Sequence, residues 1–521
     1  MTAVLIVGAG PTGLTLACDL ARRGVAVRVL ERAARYPRGS RAKGPNQRSL
    51  EVLADLGVIE EVLASGAPPV PMRKYRDGVR IADADPLAAA GPTPDVPYAR
   101  PWTLPQWRLE EILRDRLAGL GVRVELDSEL VELSQDETGV RAGLADGRQI
   151  AAGYLVGCDG GHSTVRTLLG LRFAGRTSED RVMVCGDVEL TGLDRGYWHQ
   201  WIDLDGGVML CPIPGTRAGW WFQAGPERDA AGGPVPPSLD SFQRLLDRHA
   251  RRPGLRLTGA ALLSTYRVNV RMVDRYRVGR VLLAGDAAHV QPVAGGLGMN
   301  TGIQDAANLG WKLARVAGGP AGSVLLDSYQ EERLPVAAWT LDLSSARLDA
   351  VLAAMRRPGG GLDTVSTPET STLGVGYRWS RLARELDDRG GDRDGGLLRA
   401  GDRAPDAPCR DAATGAPVRL FEFFAGPHFT LLGFGDTTAG VLREAVAAHG
   451  ASVRACLLDG SPHGLPDGVA RWRDERGLAR SAYAAREGTL VLVRPDGHLG
   501  LTASAPHHPG AVTDYLDRLD G

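Results

Sequence analysis

The residues best suited to chemistry stand at the start of the chain, where Val4-Leu5-Ile6-Val7 breaks into Gly8-Ala9-Gly10-Pro11-Thr12-Gly13. Glycines spaced Gly-x-Gly-x-x-Gly between an apolar strand and a helix build a turn whose backbone N–H groups face an anion. Gly8 permits the tight turn, Gly10 lets a pyrophosphate approach the main chain, and Gly13 lets helix and strand pack closely. The helical pattern that follows (Leu16, Ala17, Leu20, Ala21) stops at Gly24, and a second apolar run, Val27 to Leu30, ends at Glu31. An acid there can accept hydrogen bonds from an adenosine ribose while the pyrophosphate rests on the helix N-terminus. The unit predicts a bound dinucleotide, without separating NAD from FAD.

Two later clusters separate them. Cys158-Asp159-Gly160-Gly161-His162-Ser163-Thr164-Val165-Arg166 follows a buried strand, Tyr154 to Gly157. Gly285-Asp286-Ala287-Ala288-His289 follows another, and runs through Pro292 to Gly295-Gly296-Leu297-Gly298-Met299-Asn300-Thr301-Gly302. Asp286, at a strand's carboxyl end, is placed to accept a ribityl hydroxyl. Gly295, Gly296 and Gly298 let backbone N–H groups close on a flat ring, and the helix beyond Asn300 turns its positive end toward it. An isoalloxazine needs such an end, because reduction leaves negative charge on its N1–C2=O edge. Each Asp-Gly or Gly-Asp pair alone reads as an ordinary turn. The three segments in order point to FAD.

The elements that must position these residues follow from periodicity. Helices are expected at Gln47 to Leu53 and from Leu109, strands at Val122 to Leu126 and Glu129 to Leu133, and a long helical region from Asp305 to about Arg356. Residues 66–101, rich in Pro and Gly, read as an excursion over the ligand rather than core. From about 173 to 270, strands rich in Val, Trp and Leu alternate with Gly/Pro turns (Arg181 to Leu190, Gly206 to Pro212, Gly219 to Ala224). They predict a mixed or antiparallel sheet forming one wall of a substrate chamber. Residues 357–399 read as a linker with some helix, Trp379 to Leu386. A further α/β domain, 400–521, is expected to hold strands at 429–434, 453–458 and 489–494 and a helix at 439–449. The expected architecture is α/β: a Rossmann-like FAD-binding domain (1–172 and 271–356), an inserted mixed β-sheet substrate domain (173–270), a linker and a C-terminal domain.

With 521 residues and a net charge of −1, the chain offers no field for nucleic acid or an anionic membrane surface. Only three of its 61 cationic residues are lysines, Lys43, Lys74 and Lys312. Six scattered cysteines without a C-x-x-C pair predict no disulfide framework and no metal site, as in a reducing cytosol. The early start of the nucleotide fold and the lack of a long apolar run predict a cytoplasmic protein without signal peptide or membrane span.

The three nucleotide segments resemble those of the class A flavin-dependent aromatic hydroxylases, with their para-hydroxybenzoate hydroxylase-like fold. Gly296-Leu297-Gly298-Met299-Asn300-Thr301-Gly302 and Asn308-Leu309-Gly310-Trp311-Lys312-Leu313 resemble the branch acting on aromatic polyketides, which includes anthracycline- and angucycline-type hydroxylases and rifamycin monooxygenases. Residues 3–350 carry most of the resemblance. From Ala400 the chain resembles, more loosely, that branch's thioredoxin-like domain. The resemblance implies FAD, NADPH as a transient co-substrate, O2, and hydroxylation of a phenolic substrate through a C4a-hydroperoxyflavin, in antibiotic tailoring or drug inactivation. It places FAD contacts on Thr12, Glu31, Arg32, Arg41, Gln106, Leu130, Asp286, Met299 and Asn300, and connects Asp159, Gly160 and Arg166 with FAD and NADPH.

One departure from the family is visible. Pro292 stands one position before the proline that lines the family's oxygen-reaction site, where this chain has Val293. That keeps a Baeyer–Villiger oxygenase in view beside the hydroxylase, and a non-catalytic flavoprotein acting as a binding module is the reading from another class. No catalytic base is named: His289 reads as a turn-capping residue. Trp198, Trp201, Met209, Trp220, Trp221 and Phe222 suit a wall for a multi-ring substrate, or equally an ordinary sheet core. With one dinucleotide fingerprint, NADPH is expected to bind without a domain of its own. The last domain, lacking C-x-x-C, is expected to be a redox-inert packing or dimerisation module, the protein being a monomer or homodimer.

Overall fold

The computed structural model describes residues 2–40, 42–319, 321–357, 367–386, 398–461, 467–504 and 510–520. Three eight-stranded sheets organise them. Arg41 and much of the 357–399 segment lie outside the described residues.

In the first sheet, Thr2–Val7 lies between Val27–Leu30 and Gln149–Gly157, parallel to both. Val281–Leu283 extends it in parallel beyond Gln149–Gly157, and Val124–Glu125 pairs with Val27–Leu30. Strands buried on both faces read as continuous apolar runs, and Val4, Leu5 and Ile6 are wholly buried. The helices Pro11–Arg22, Gln106–Gly119 and Leu297–Gly318 cover the sheet through one core containing Leu14, Leu113 and Leu309. The carboxyl ends of Thr2–Val7, Gln149–Gly157 and Val281–Leu283 therefore deliver the three Gly/Asp turns to one edge.

The second sheet is ordered His289–Val290, Leu257–Met272, Ala174–Leu190, Gly219–Ala224, Gly206–Pro212, Trp198–Asp203, Met72–Arg76, Val79–Ala84. Its last two strands come from the segment expected to be an excursion without core. Met72 and Tyr75 are buried, and Met72–Arg76 pairs in parallel with Trp198–Asp203. Proline and glycine on either side masked a short alternating hairpin that finds its partner strand more than a hundred residues away.

The third sheet belongs to the C-terminal domain, ordered Arg384–Glu385, Leu499–Ala503, Thr489–Val493, Phe429–Phe434, Val453–Leu458, Val469–Arg473, Pro408–Asp411, Pro417–Arg419. The helix expected at Trp379 to Leu386 is absent: turns lead into the edge strand Arg384–Glu385, and the Trp379 indole donates to the Glu331 carbonyl. The domain is joined to the first by a buried ion cluster. Arg494 donates to Glu332 (2.6 and 2.9 Å) and also pairs with Asp496, while Lys312 donates to Glu332 (2.6 Å) and the Trp311 indole to Asp496 (3.2 Å). The Asn308 to Leu313 motif thus serves the domain junction. Cys409 and Cys456 are buried and unbridged. No helix among the described residues is long and apolar enough to cross a membrane.

Candidate active site

The three fingerprint glycines do different work. Gly8 has φ +105°, and a Cβ there would lie 2.4 Å from the Cys158 carbonyl oxygen. A Cβ on Gly13 would lie 2.0 Å from the Gly8 oxygen. Both are thus required by protein packing on itself. Nothing lies within 4 Å of a Cβ on Gly10, so the space before it is left for something other than protein. The helix Pro11–Arg22 begins there with no side-chain cap and no acid in its first turn, leaving unpaired N–H groups toward that space. Thr12 wedges between Gly285 and Gly302, its Oγ1 2.6 and 2.3 Å from where their Cβ atoms would lie. That contact locks the first turn against the third.

Leu297–Gly318 supplies a second helix N-terminus of the same kind. Gly296 is left-handed (φ +64°), no side chain caps it, and its first turn holds no acid. Cβ atoms on Gly296 and Gly298 would meet nothing within 4 Å. Asn300 stands beside them but is committed to the protein: its Oδ1 accepts from the Asn46 N–H (2.8 Å) and its amide donates to the Gly296 carbonyl (2.7 Å). It ties the 42–46 loop across the helix start and so shapes a slot. Gln106 closes that loop from behind, accepting from the Ala42 N–H (3.3 Å) and donating to Glu110 (2.8 Å).

Beneath the slot lies a network that sequence reasoning missed. Asp305 accepts from the Gly285 N–H (3.1 Å), from Arg333 (2.7 Å) and, at 2.7 Å, pairs with His289. All three side chains are wholly buried. Burial alone would raise the Asp305 carboxyl, but Arg333 and His289 outweigh it and hold it at about 2. His289 is therefore a strut for the turn that presents Asp286 to the cavity. Arg166 braces the same turn, donating to the Ala287 carbonyl (2.9 Å) and the Gly161 carbonyl (2.8 Å). Asp159 braces the start of the short helix Thr164–Leu168, whose N-cap is Ser163, accepting from Ser163 Oγ (2.5 Å) and the Val165 N–H (3.1 Å).

One cavity of about 2030 Å³ joins these turns to the second sheet. Gly10, Thr12, Gln106, Asp286, Pro292, Gly298, Met299 and Asn300 line it, with Val293 beside Pro292. Four of the expected contacts do not line it. Glu31 accepts from the Ala9 and Ala33 N–H groups (both 3.0 Å), stiffening the turn from outside. Arg32 is exposed past its strand, the Leu130 side chain is buried in the core, and Asp159 is occupied as described.

Strand alternation sorts the aromatic residues of the second sheet. Trp198, Met209, Cys211 and Gln223 face the cavity. Trp201, Trp220 and Phe222 point the other way, into a core closed by the helix Leu239–Ala250, and so form no part of the chamber wall. Trp221 packs with Trp198 and Cys211 beside the cavity. Opposite them stands Lys43, also missed. Its one sequence signal is rarity, since Lys74 and Lys312, the other two lysines, are buried at 5% and 0% exposure. A chain that otherwise uses arginine keeps lysine for enclosed positions.

The chain resembles proteins of known activity over its full length. Residues 1–344 match the family model described as FAD binding domain. A flavin-dependent monooxygenase of Mycobacteroides abscessus is 40% identical over 99% of both chains. The 6-methylpretetramide 4-monooxygenase of Streptomyces rimosus is 35% identical over 95% of this chain and 90% of its own. Among solved structures, a ternary complex of aklavinone-11 hydroxylase with FAD and aklavinone superposes with a TM-score of 0.83 at 28% identity, covering 100% of this chain and 99% of that one. With an open glycine cradle, two uncapped helix starts and a chamber beyond them, the chain belongs to the FAD binding domain family and is an enzyme, a flavin-dependent monooxygenase.

Proposed function

We propose that this enzyme hydroxylates an aromatic, polyketide-type phenolic substrate, consuming NADPH and O2. One observation carries the reading: a single cavity joins the nucleotide turn and the Leu297–Gly318 N-terminus to the Trp198, Met209 and Gln223 face of the second sheet. A cofactor and a multi-ring substrate can share that space. The residues present fit FAD. The cradle before Gly10 would take the pyrophosphate, Glu31 the adenosine ribose, Asp286 the ribityl chain, and the N–H groups at Gly298 to Asn300 the ring's N1–C2=O edge.

When bound, FAD supplies the redox chemistry, accepting hydride from NADPH and activating O2 for transfer of one oxygen atom to an electron-rich carbon. The chain's own share is positional. The Asp305 network holds the Asp286 turn, Asn300 holds the loop over the slot, and the indole and thioether wall excludes water around the reacting ring. NADPH, without a fingerprint of its own, would visit and leave.

Purified holoenzyme mixed with NADPH in air should oxidise NADPH faster when aklavinone or 6-methylpretetramide is added as a probe, giving a product heavier by one oxygen atom. A protein that binds FAD but shows no stimulation with either probe or with simpler polyphenols would refute the proposal and favour a non-catalytic binding role. Val293, in place of the family's proline beside the cavity, supports Baeyer–Villiger insertion as a second reading. Product NMR separates ring hydroxylation from an inserted ester oxygen.

A further inference from the structure

Lys43 stands in the 42–46 loop that Asn300 ties across the helix start, and it lines the cavity. Its ammonium sits 5.5 Å from the Trp198 ring centre and 6.0 Å from that of Trp221, and donates to Gln223 Oε1 at 2.9 Å. Among the described residues it forms no ion pair. The ionisable groups around it come from two strands on either side of Gly219–Ala224, Cys185 and Asp187 on one and Cys211 on the other. Burial pushes the Cys211 thiol up to about 12, so it is neutral. Burial likewise pushes Asp187 up to about 6, and that carboxylate is already engaged by the Ser40 N–H at 2.8 Å. Burial lowers Lys43 itself, only partly offset by these groups. A half-buried ammonium on an aromatic wall, with donors to spare and the Asp187 carboxylate outside ion-pair distance, leaves a place for an anion supplied by a ligand.

We propose that Lys43 is the anchor for an ionised oxygen of the substrate, a phenolate or the enolate of a β-diketone, held over the Trp198 and Trp221 indoles. The proposal rests on the monooxygenase reading for the location of the substrate, and narrows its class to acidic hydroxylated polycycles. The phenol proton leaves to solvent while Lys43 stays protonated and holds the oxygen. The negative charge then enriches the ring carbons that receive the oxygen atom. Arg195 and Arg267 also line the cavity; Arg195 is already engaged by the Ile213 and Gly219 carbonyls.

The test uses FAD-loaded holoenzyme and alizarin, a hydroxyanthraquinone whose colour reports its ionisation. Wild-type protein should bind the dye as its anion at a proton concentration about tenfold above that at which free dye ionises. Lys43→Met, with FAD absorbance and thermal midpoint retained, should abolish that displacement, and Lys43→Arg should restore most of it. Neutral dye in the wild-type chamber, anionic dye unchanged in Lys43→Met, or no uptake of the dye by wild-type holoenzyme would each overturn the proposal. The readout involves no turnover. An enzyme that ionises the dye but never consumes NADPH would refute the NADPH-consuming hydroxylase reading and leave Lys43's role standing.

Discussion

Gly10 and Gly13 differ by three positions in one fingerprint, and the structure predicts opposite consequences for the same methyl group. At Gly10 the backbone (φ −77°, ψ −178°) is open to any residue and a Cβ meets nothing within 4 Å. Gly10→Ala should therefore fold, losing at most about 1 kcal/mol for a poorer helix N-cap. Its methyl occupies the approach to the cradle, so FAD affinity should fall at least about tenfold, or 1.4 kcal/mol. At Gly13 the new Cβ would overlap the Gly8 carbonyl oxygen at 2.0 Å and press on Cys158 Cβ at 3.3 Å. Neither backbone can yield without parting strand from helix, and the cost should reach about 3 kcal/mol or more. Urea unfolding of the flavin-free proteins gives the stabilities, and flavin fluorescence titration gives the affinities. Should Gly10→Ala keep full FAD affinity, or Gly13→Ala prove as stable as wild type, the assignment of these glycines fails.

Three further outcomes follow from the packing. Asp305, held at about 2 against 3.8 for the free carboxyl, contributes stability that is fully present above pH 4 and is lost as pH falls toward 2, an effect of about 2 kcal/mol; Asp305→Asn should flatten that limb of a pH series of urea midpoints, and an unchanged limb would count against the network. Arg494→Met leaves Glu332 and Asp496 buried without their shared cation and should cost about 3–5 kcal/mol by chemical denaturation. Trp220→Ala should cost about 3–5 kcal/mol as a core cavity, whereas Trp198→Ala should leave the thermal midpoint near wild type and raise KM for polycyclic probes; equal loss of stability in both would contradict the division of the sheet's faces.

What the sequence determined by itself was the local geometry of the glycine turns. Gly8, Gly10, Gly13 and Asp286, and the glycines before Met299, are legible because a turn that admits a dinucleotide restricts residue types over a few neighbouring positions. The parallel strands were legible for the same reason, since a strand buried on both faces is apolar along its whole length. Pairing between distant segments left no such trace. The hairpin Met72 to Ala84 acquires its meaning from Trp198–Asp203, Asp305 from His289 and Arg333, and Lys312 from Glu332 and Arg494 across the domain junction. Likewise Trp198 and Trp201 look alike as sequence, and only the pleat and the helix laid on one face send one to the chamber and the other to the core. Tertiary structure decided which polar groups are braces and which face the ligand, because burial and partnership belong to the folded chain and not to any residue taken alone.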